Sequence, residues 1–279
     1  MSTPIRANAS RVQSFFDPQT ATVTYLVFDP STRDAVVIDP VLDFDPVTKK
    51  TSTESIAQVA SFVDAHRLRP HYVLETHAHA DHISASQWLK ERYGAKIAIG
   101  ARITEVQRTF KKVLALPDDF ATDGSQFDVL LDDGAVVHAG SLRVETIATP
   151  GHTPACMTFV IDGALFTGDA LFVEDYGTGR CDFPSGSASE LYRSVHDRLY
   201  ALPDATRVYV GHDYQPGGRE LRFESTIGIE KRANVQLRAE TSAEEFIRFR
   251  EARDKKLDPP RLLLQSVRAN IEAGRTPTR

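Results

Sequence analysis

The chain has 279 residues, which is enough for one substantial hydrophobic core or for a core with an appendage. Hydrophobic residues make up 41% and charged residues 25%, ordinary values for a globular protein, so the composition excludes disorder throughout the chain. The formal net charge of −5 gives no electrostatic reason to expect nucleic acid or an anionic membrane as a partner.

The two cysteines, Cys156 and Cys181, are too few for a disulfide framework and favour a reducing compartment. No apolar run approaches the roughly 20 residues that a membrane span needs. Residues 1–6 lack the apolar segment of a secretory leader. We therefore expect a cytoplasmic protein without a membrane partner, and the sequence leaves a homodimer open.

In the first half of the chain, strand-like and helix-like segments alternate. A turn at Pro30 separates the first two predicted strands, and Gly94 is a stop signal for a helix. A polar, His-rich segment at 76–82 separates a buried strand from the next helix. We predict strands over 22–28, 34–38, 71–74 and 96–99, and helices over 51–66, 83–93 and 103–113.

The second half begins with short strand-like runs, with hairpin signals at Asp133-Gly134 and Asp162-Gly163. We predict strands over 127–131, 135–138, 142–147, 157–166 and 207–210, and helices over 187–202, 224–232, 243–253 and 261–273. No strand signal follows residue 216. The pattern predicts a layered α/β (α+β) catalytic domain over 1–215, with a helical C-terminal extension over 216–279 packed on it.

Four side chains that can bind a metal lie within six residues: His77, His79, Asp81 and His82. In an extended segment the side chains of His77 and His79 point to the same side, because the side-chain period is two. Imidazole suits Zn and Fe alike, and a carboxylate adds charge to hold a divalent ion. The segment therefore predicts a metal site.

Three further candidates are weaker when each is taken alone. His152 lies in a turn made rigid by prolines and a glycine, and is either a turn residue or a ligand. Asp169 follows an apolar strand and Gly168, where a helix cap is the alternative role. His212 likewise follows an apolar strand and Gly211. The remaining histidines have ordinary contexts: His66, His71, His138 and His196.

Taken together, the order and spacing of these motifs over about residues 20–215 resemble the metallo-β-lactamase superfamily. The resemblance implies an αββα sandwich with metal at one edge of its two central sheets. It also implies up to two metal positions, with Asp169 bridging them. One position would use His77, His79 and His152, and the other would use Asp81, His82 and His212.

Further segments resemble one branch, the persulfide (sulfur) dioxygenases. They are residues 76–83, 149–156, 177–183, 185–186 and 191–195. In that branch one Fe(II) is bound by two His and one carboxylate, which here implies His77, His152 and Asp169, with positions left open for substrate and O₂. The resemblance implies that the other metal-motif residues orient the ligands and hold water: His79, Asp81, His82 and His212.

The reaction implied by this resemblance oxidises glutathione persulfide with O₂ and water to sulfite and glutathione, a form of sulfide detoxification. Arg180 is the candidate for a substrate carboxylate, and a salt bridge with Asp182 is its alternative role. Tyr214 is expected to line the same mouth. Candidates for further anion contacts, or for a solvated helix face, are Lys231, Arg232 and Asn234.

Two positions depart from the branch pattern. Some members carry Cys at the position of Thr178, and others carry Thr at the position of Cys181. In these two positions the chain resembles a bacterial-type subgroup of the branch. The differences weaken the assignment of the branch's substrate contacts to residues of this chain. Cys156 is expected to be buried and inert.

The main alternative is a glyoxalase II-like thioester hydrolase, in which two metal ions such as Zn would use all seven metal-motif residues. That branch shows an aromatic-rich segment where this chain has residues 180–183, Arg-Cys-Asp-Phe. A metal-binding scaffold or sulfur sensor without turnover is a third reading. A nuclease is disfavoured by the net charge and by the lack of a nucleic-acid-binding insert.

Overall fold

Two six-stranded β-sheets face each other in the computed structural model, which describes residues 10–276. The first sheet has the order β1-β2-β3-β6-β8-β9 and the second β10-β11-β12-β13-β14-β15, with a small β5-β4-β7 sheet beside them. The strands are β1 Arg11–Asp17, β2 Thr22–Phe28, β3 Asp34–Ile38, β4 Val41–Asp45, β5 Lys50–Ser52, β6 Arg69–Glu75, β7 Ile83–Ser84, β8 Lys96–Gly100, β9 Val129–Leu131, β10 Val136–Ala139, β11 Leu142–Ala148, β12 Met157–Ile161, β13 Ala164–Phe166, β14 Arg207–Tyr209 and β15 Glu224–Thr226.

Helices cover both outer faces of the two sheets. They are α1 Glu54–Ala65, α2 Ser86–Tyr93, α3 Ile103–Val113, α4 Ala188–Tyr192 with a π-helix Arg193–Leu199 directly after it, a 3₁₀ turn Pro216–Gly218, α5 Ile227–Ala233, α6 Ala243–Asp254 and α7 Leu263–Asn270. None of the helices within residues 10–276 is long and apolar enough to cross a membrane. Residues 1–6, where the sequence predicts no secretory leader, lie outside the described part of the chain.

Hydrophobic burial holds these layers together. Between the sheets, Tyr25 of β2 packs edge-on against Phe166 of β13 and Tyr209 of β14. On the outer face of the first sheet, α1 and α2 bury an apolar stripe that includes Val59 and Leu89. On the outer face of the second sheet, the π-helix and the C-terminal helices bury a third cluster. The αββα sandwich implied by the resemblance is therefore confirmed.

Most predicted elements agree with the structure to within a few residues, and the prediction for the start of the tail is wrong in one respect. Residues 224–226, predicted as helix, form β15, which pairs antiparallel with β14. Its sequence, Glu-Ser-Thr, carries no apolar alternation that would predict a strand. Residues 224–226 are a strand because their backbone pairs with the edge of β14. The helix begins one residue later, where the Thr226 side chain accepts a hydrogen bond from the Ile229 amide. The division into domains at residue 215 stays a prediction.

The topology brings the predicted metal motifs to one end of the sandwich. His77 follows β6 in the first sheet, whereas His152, Asp169 and His212 follow β11, β13 and β14 in the second. Each motif starts where a strand ends, so rigid strands fix its backbone on one side.

Candidate metal centre and its cavity

His77, His152 and Asp169 form a compact group of metal-ligand atoms. One ligand atom from each lies within 4.8 Å of the others, and all three residues are buried. The Asp169 Oδ2 atom is 3.5 Å from His152 Nε2 and 4.0 Å from His77 Nε2. Atoms at such separations can share one cation at metal–ligand distances of about 2.0–2.2 Å.

The hydrogen bonds behind both imidazoles leave the Nε2 lone pairs free to bind a metal. The Thr76 hydroxyl donates its proton to Asp39 Oδ2 over 2.7 Å. Because that proton is used, Thr76 Oγ1 accepts the hydrogen bond from His77 Nδ1 over 3.0 Å. His152 Nδ1 donates to the carbonyl oxygen of Arg180 over 2.6 Å. A proton held on Nδ1 fixes the tautomer and turns Nε2 toward the cation, the usual arrangement behind a metal-binding histidine.

Unsatisfied buried atoms show that this group suits a cation. Among the described residues, His77 Nε2 and Asp169 Oδ1 of this group are buried without a hydrogen-bond partner. Burial of a polar atom without a partner costs about 1–3 kcal/mol. A divalent cation between these atoms would accept their lone pairs and offset that cost, so the donor set fits a bound metal.

Electrostatics favours the protonation states that bind metal. Burial lowers the pKa of His77 well below its usual value, with a further contribution from the neighbouring His79, and keeps the imidazole neutral. Burial alone would raise the pKa of Asp169, but the opposing effect of the neighbouring imidazoles, chiefly His212, outweighs it and lowers the pKa, so the carboxylate stays ionised. Neutral imidazole and ionised carboxylate are the forms that coordinate a metal.

A second group contains His79, Asp81 and His82, whose ligand atoms also lie within 4.8 Å of one another. His212 links the two groups, because its Nε2 atom is 3.3 Å from Asp169 Oδ1 and 3.7 Å from Asp81 Oδ2. The structure thus brings all seven metal-motif residues together. It places His79 in the second group and not in the first.

Two buried carboxylates that the sequence did not single out surround His79. Its Nε2 atom is 3.0 Å from Asp39 Oδ1 and 3.3 Å from Glu75 Oε2. Glu75 Oε1 accepts hydrogen bonds from the hydroxyls of Ser84 and Ser86. The position of Glu75 directly before the His motif is the one local signal that could have identified it. Asp39 is distant in sequence and comes close only through the pairing of β3 with β6.

The remaining histidines lie apart from these groups, as predicted. His71 Nε2, for example, is 2.7 Å from Asp34 Oδ1, and His66 stacks on Phe62.

Glycine is required where these loops approach one another. Gly168 has φ +50°, and a Cβ atom there would lie 2.4 Å from Thr76 Oγ1. A Cβ atom on Gly179 would lie 2.1 Å from the carbonyl oxygen of Asp169. Both separations are far shorter than van der Waals contact, so a side chain at either position would displace a metal-motif loop.

A cavity of about 460 Å³ opens beside the metal group, a size that suits a small-molecule ligand. Asp81, His82, His152 and Asp169 line it. Aromatic side chains cover part of its wall: Phe172, Tyr176, Phe183 and Tyr214. Cationic side chains from the second half of the chain face it: Arg180, Arg250, Arg253 and Arg261. Carboxylates from the first half also face it: Asp17, Asp43 and Asp45.

Arg180 and Tyr214 both line this cavity, as the sequence predicts. The Arg180 guanidinium also makes the alternative contact, a two-point ion pair with Asp182 in which both hydrogen bonds are 2.6 Å long. A third hydrogen bond reaches the carbonyl oxygen of Asp258. Tyr214 stacks on Tyr176 with ring centroids 4.7 Å apart. Since a guanidinium has five N–H groups, two remain on Arg180 for a ligand.

The candidate anion contacts in the tail do not face the cavity. Lys231 Nζ pairs with Asp204 over 2.7 Å, and Arg232 is directed to the same carboxylate. Asn234 is buried and donates to the carbonyl oxygen of Gly177. Arg253 and Arg261 face the cavity in their place. No local pattern distinguishes these two arginines from exposed ones, so only the folded chain reveals them.

Both cysteines are buried. Burial raises the pKa of the Cys156 thiol to about 12, and burial also raises the pKa of Cys181. The thiolate is the reactive form of cysteine, so neither side chain is poised for chemistry at neutral pH.

Comparison with known proteins agrees with this site. A family model described as the metallo-beta-lactamase superfamily matches residues 17–212. The chain therefore belongs to the metallo-β-lactamase superfamily.

Several relatives resemble nearly the whole chain. A probable metallo-hydrolase of Burkholderia pseudomallei is 48% identical over 95% of this chain and 94% of its own length. The human mitochondrial protein named persulfide dioxygenase ETHE1 is 34% identical over 96% of this chain and 90% of its own length. The beta-lactamase hydrolase-like protein of Agrobacterium fabrum is 46% identical over 97% of this chain, but the match spans only 62% of that relative.

Among solved structures, ETHE1 from Myxococcus xanthus superposes with a TM-score of 0.76 at 36% identity, covering 95% of this chain and all of that one. The match extends beyond residue 212 and so includes most of the C-terminal region.

Proposed function

We propose that this chain is a persulfide dioxygenase that oxidises glutathione persulfide with O₂ and water to sulfite and glutathione at a single Fe(II). The observation that carries the proposal is the compact group of two imidazoles and one carboxylate, His77, His152 and Asp169, whose ligand atoms lie within 4.8 Å of one another. This donor set is the facial triad typical of non-haem Fe(II) oxygenases. The relatives named ETHE1 support the same branch.

The protein's own residues orient the ligands and the substrate. Thr76 and the Arg180 carbonyl hold protons on the two imidazole Nδ1 atoms, so both Nε2 atoms face Asp169. Phe172, Tyr176 and Tyr214 would exclude water around the sulfur of the substrate. Arg180 would bind a carboxylate of the tripeptide through its remaining N–H groups.

When bound, the iron would supply the redox chemistry that a zinc ion, which has none, could not. The second group would assist from outside the triad. His212 Nε2 lies 3.3 Å from Asp169 Oδ1 and 3.7 Å from Asp81 Oδ2, so His212 would fix the Asp169 carboxylate, and Asp81 would orient His212 and hold water beside the substrate.

A hydrolase with two metals is the second candidate, because His79, Asp81 and His82 form a separate ligand group. Asp169 Oδ1 lies 3.3 Å from His212 Nε2, and these two residues would join that group in holding a second metal. In this case the substrate would be a glutathione thioester, and Zn could serve as the metal. The relative described as a probable metallo-hydrolase is compatible with this reading.

Separate assays with the two substrates distinguish the two candidate functions. Protein purified anaerobically with iron would be given glutathione persulfide in one assay and S-lactoylglutathione in another, while O₂, sulfite and free thiol are recorded. The proposal predicts O₂ uptake with sulfite formation in the first assay and no thioester cleavage in the second. Thioester hydrolysis without persulfide-dependent O₂ uptake would overturn it.

A further inference from the structure

The loop at residues 176–181 touches two of the three proposed metal ligands through its backbone. The Arg180 carbonyl oxygen accepts from His152 Nδ1 over 2.6 Å. The Gly179 amide donates to the carbonyl oxygen of Asp169 over 3.1 Å. Any movement of this loop would therefore turn the His152 ring and shift the Asp169 backbone. Its own anchorage determines how accurately the ligands are placed.

Side chains from the C-terminal region provide that anchorage. Asn234 donates to the Gly177 carbonyl, and Gln236 donates to the Tyr176 carbonyl over 2.6 Å. The Gln236 side-chain oxygen also accepts from the Thr178 amide and hydroxyl, over 3.1 Å and 3.0 Å. These contacts fix the first half of the loop from one side.

Arg250 and Asp254, one turn apart on α6, hold the residues on either side of Arg180. Arg250 Nη1 donates to the Thr178 carbonyl over 3.1 Å, and Asp254 Oδ2 accepts from the Cys181 amide over 2.8 Å. The two side chains are joined by a 2.6 Å ion pair. Arg250 is only 1% exposed and Asp254 4%, so water competes little for these contacts.

Burial of this ion pair costs solvation free energy, so the presence of the pair suggests that a specific geometry depends on it. Charges taken out of water lose much of their solvation free energy, and apolar residues of similar volume often stabilise a core equally well. The pair makes hydrogen bonds to the backbone before and after Arg180, at the Thr178 carbonyl and the Cys181 amide. These contacts suit a role in positioning the Arg180 carbonyl.

We propose that Arg250 and Asp254 are positioning residues for the metal centre: they clamp the 178–181 backbone so that the Arg180 carbonyl holds His152 in its ligating tautomer and orientation. The inference rests on the proposed assignment of His152 as a metal ligand. It makes α6, which lies outside the matched residues 17–212, a functional part of the site.

Metal affinity tests the clamp independently of the reaction. Arg250→Met keeps the unbranched aliphatic part of the side chain but removes the guanidinium, and with it the contacts to Thr178 and Asp254. Asp254→Asn keeps the side-chain shape and an acceptor oxygen but removes the charge that pairs with Arg250. Arg248→Met, on the exposed face of the same helix, is the matched control. Each protein would be titrated with Co(II), recording the dissociation constant and the visible absorption spectrum.

We expect both clamp variants to bind Co(II) about tenfold or more weakly, the range seen when groups behind a metal ligand are removed. We also expect an altered Co(II) spectrum, whereas Arg248→Met should match the wild type in both readouts. A purely structural ion pair would lower the melting temperature but leave the affinity and spectrum unchanged, which would overturn the inference. If Arg250→Met does not fold, the Co(II) affinity and spectrum of Asp254→Asn alone test the inference.

These readouts do not depend on the substrate. A wild-type protein that binds metal through His152 but shows no persulfide-dependent O₂ uptake would contradict the proposed function and leave the clamp intact. A His152→Ala variant that binds Co(II) like the wild type would remove the ligand on which the clamp acts, and would overturn the inference.

Discussion

Arg180 takes part in the site through two different groups of atoms. Its backbone carbonyl orients His152, whereas its guanidinium lies in the cavity wall between Asp182 and the Asp258 carbonyl. A side-chain substitution should therefore separate substrate binding from metal binding.

We predict that Arg180→Ala raises the KM for glutathione persulfide by about ten- to one-hundredfold, with a smaller change in kcat and unchanged metal content. The loss of a hydrogen bond to a charged group, about 1.5–3 kcal/mol, gives this size if ground state and transition state are bound alike. Steady-state kinetics with metal analysis checks it. Arg207→Ala, at an exposed ion pair with Glu224, is the control. An unchanged KM would remove Arg180 from the substrate site.

Glu230 in α5 makes stability depend on pH. It is fully buried, and burial raises its pKa from 4.5 to about 7, while Asn234 Nδ2 donates to its Oε2 atom over 2.8 Å. The folded state thus holds the proton more tightly than the unfolded chain does. The free energy of unfolding should fall as pH rises from about 4.5 through about 7, and the loss should be complete above that range.

We therefore predict that Glu230→Gln is more stable than the wild type at pH 8, by on the order of 3 kcal/mol, since one pH unit corresponds to about 1.4 kcal/mol. Glutamine keeps the acceptor for Asn234 but cannot ionise. Urea unfolding of both proteins between pH 5 and 8 gives the difference. Glu240→Gln, at an exposed site in the tail, is the control. Parallel pH profiles for the wild type and Glu230→Gln would refute the prediction.

The loop from Gly177 to Cys181 lies in the connection between β13 and α4, and α6 contacts it through Arg250 and Asp254. Gly179 is the point where it passes closest to the Asp169 backbone. Because the obstructing atom is a backbone oxygen, a flexible side chain cannot move aside to relieve the clash.

Gly179→Ala should therefore weaken metal binding at least tenfold. The matched substitution Gly163→Ala, in the β12–β13 hairpin, has φ +76° but open space around the new Cβ atom. It should cost about 1 kcal/mol of stability and leave metal affinity unchanged. Equal metal dissociation constants for the two variants would contradict the proposed role of the close approach.

Elements with a regular apolar pattern could be predicted from the sequence, and elements defined by their neighbours could not. The helix predicted over 103–113 agrees with α3, whose buried face includes Val106 and Phe110 at helical spacing. By contrast, β15 is polar and exists because β14 has a free edge. The prediction of one strand over 157–166 missed its division into β12 and β13, although the Asp162-Gly163 turn between them was recognised.

The same distinction applies to the site. His77, His79, Asp81 and His82 are neighbours in sequence, so their cluster is visible before folding. Asp39, Arg250 and Asp254 reach the centre only through strand pairing and helix docking, and nothing in their local sequence marks them. Resemblance supplied the distant ligand candidates His152 and Asp169, each of which has an ordinary structural role when considered alone.

In the whole molecule, the proposed ligands come from loops of both sheets, so a bound metal would tie the two halves of the sandwich together. A ligand that binds only the folded state stabilises it by mass action, by about 2.7 kcal/mol at a free concentration one hundred times its dissociation constant. We predict that removal of the metal with a chelator lowers the melting temperature by several degrees, and that Fe(II) restores it. A melting temperature indifferent to both treatments would contradict a site built from both sheets.

The most direct test of a single triad of ligands is the number of metal ions per chain in anaerobically purified wild type, Asp169→Ala and Asp81→Ala. A single triad predicts one iron in the wild type, a similar content in Asp81→Ala, and loss of iron in Asp169→Ala. Two metal ions in the wild type, with one lost in Asp81→Ala, would contradict a single triad of ligands and favour a dinuclear hydrolase.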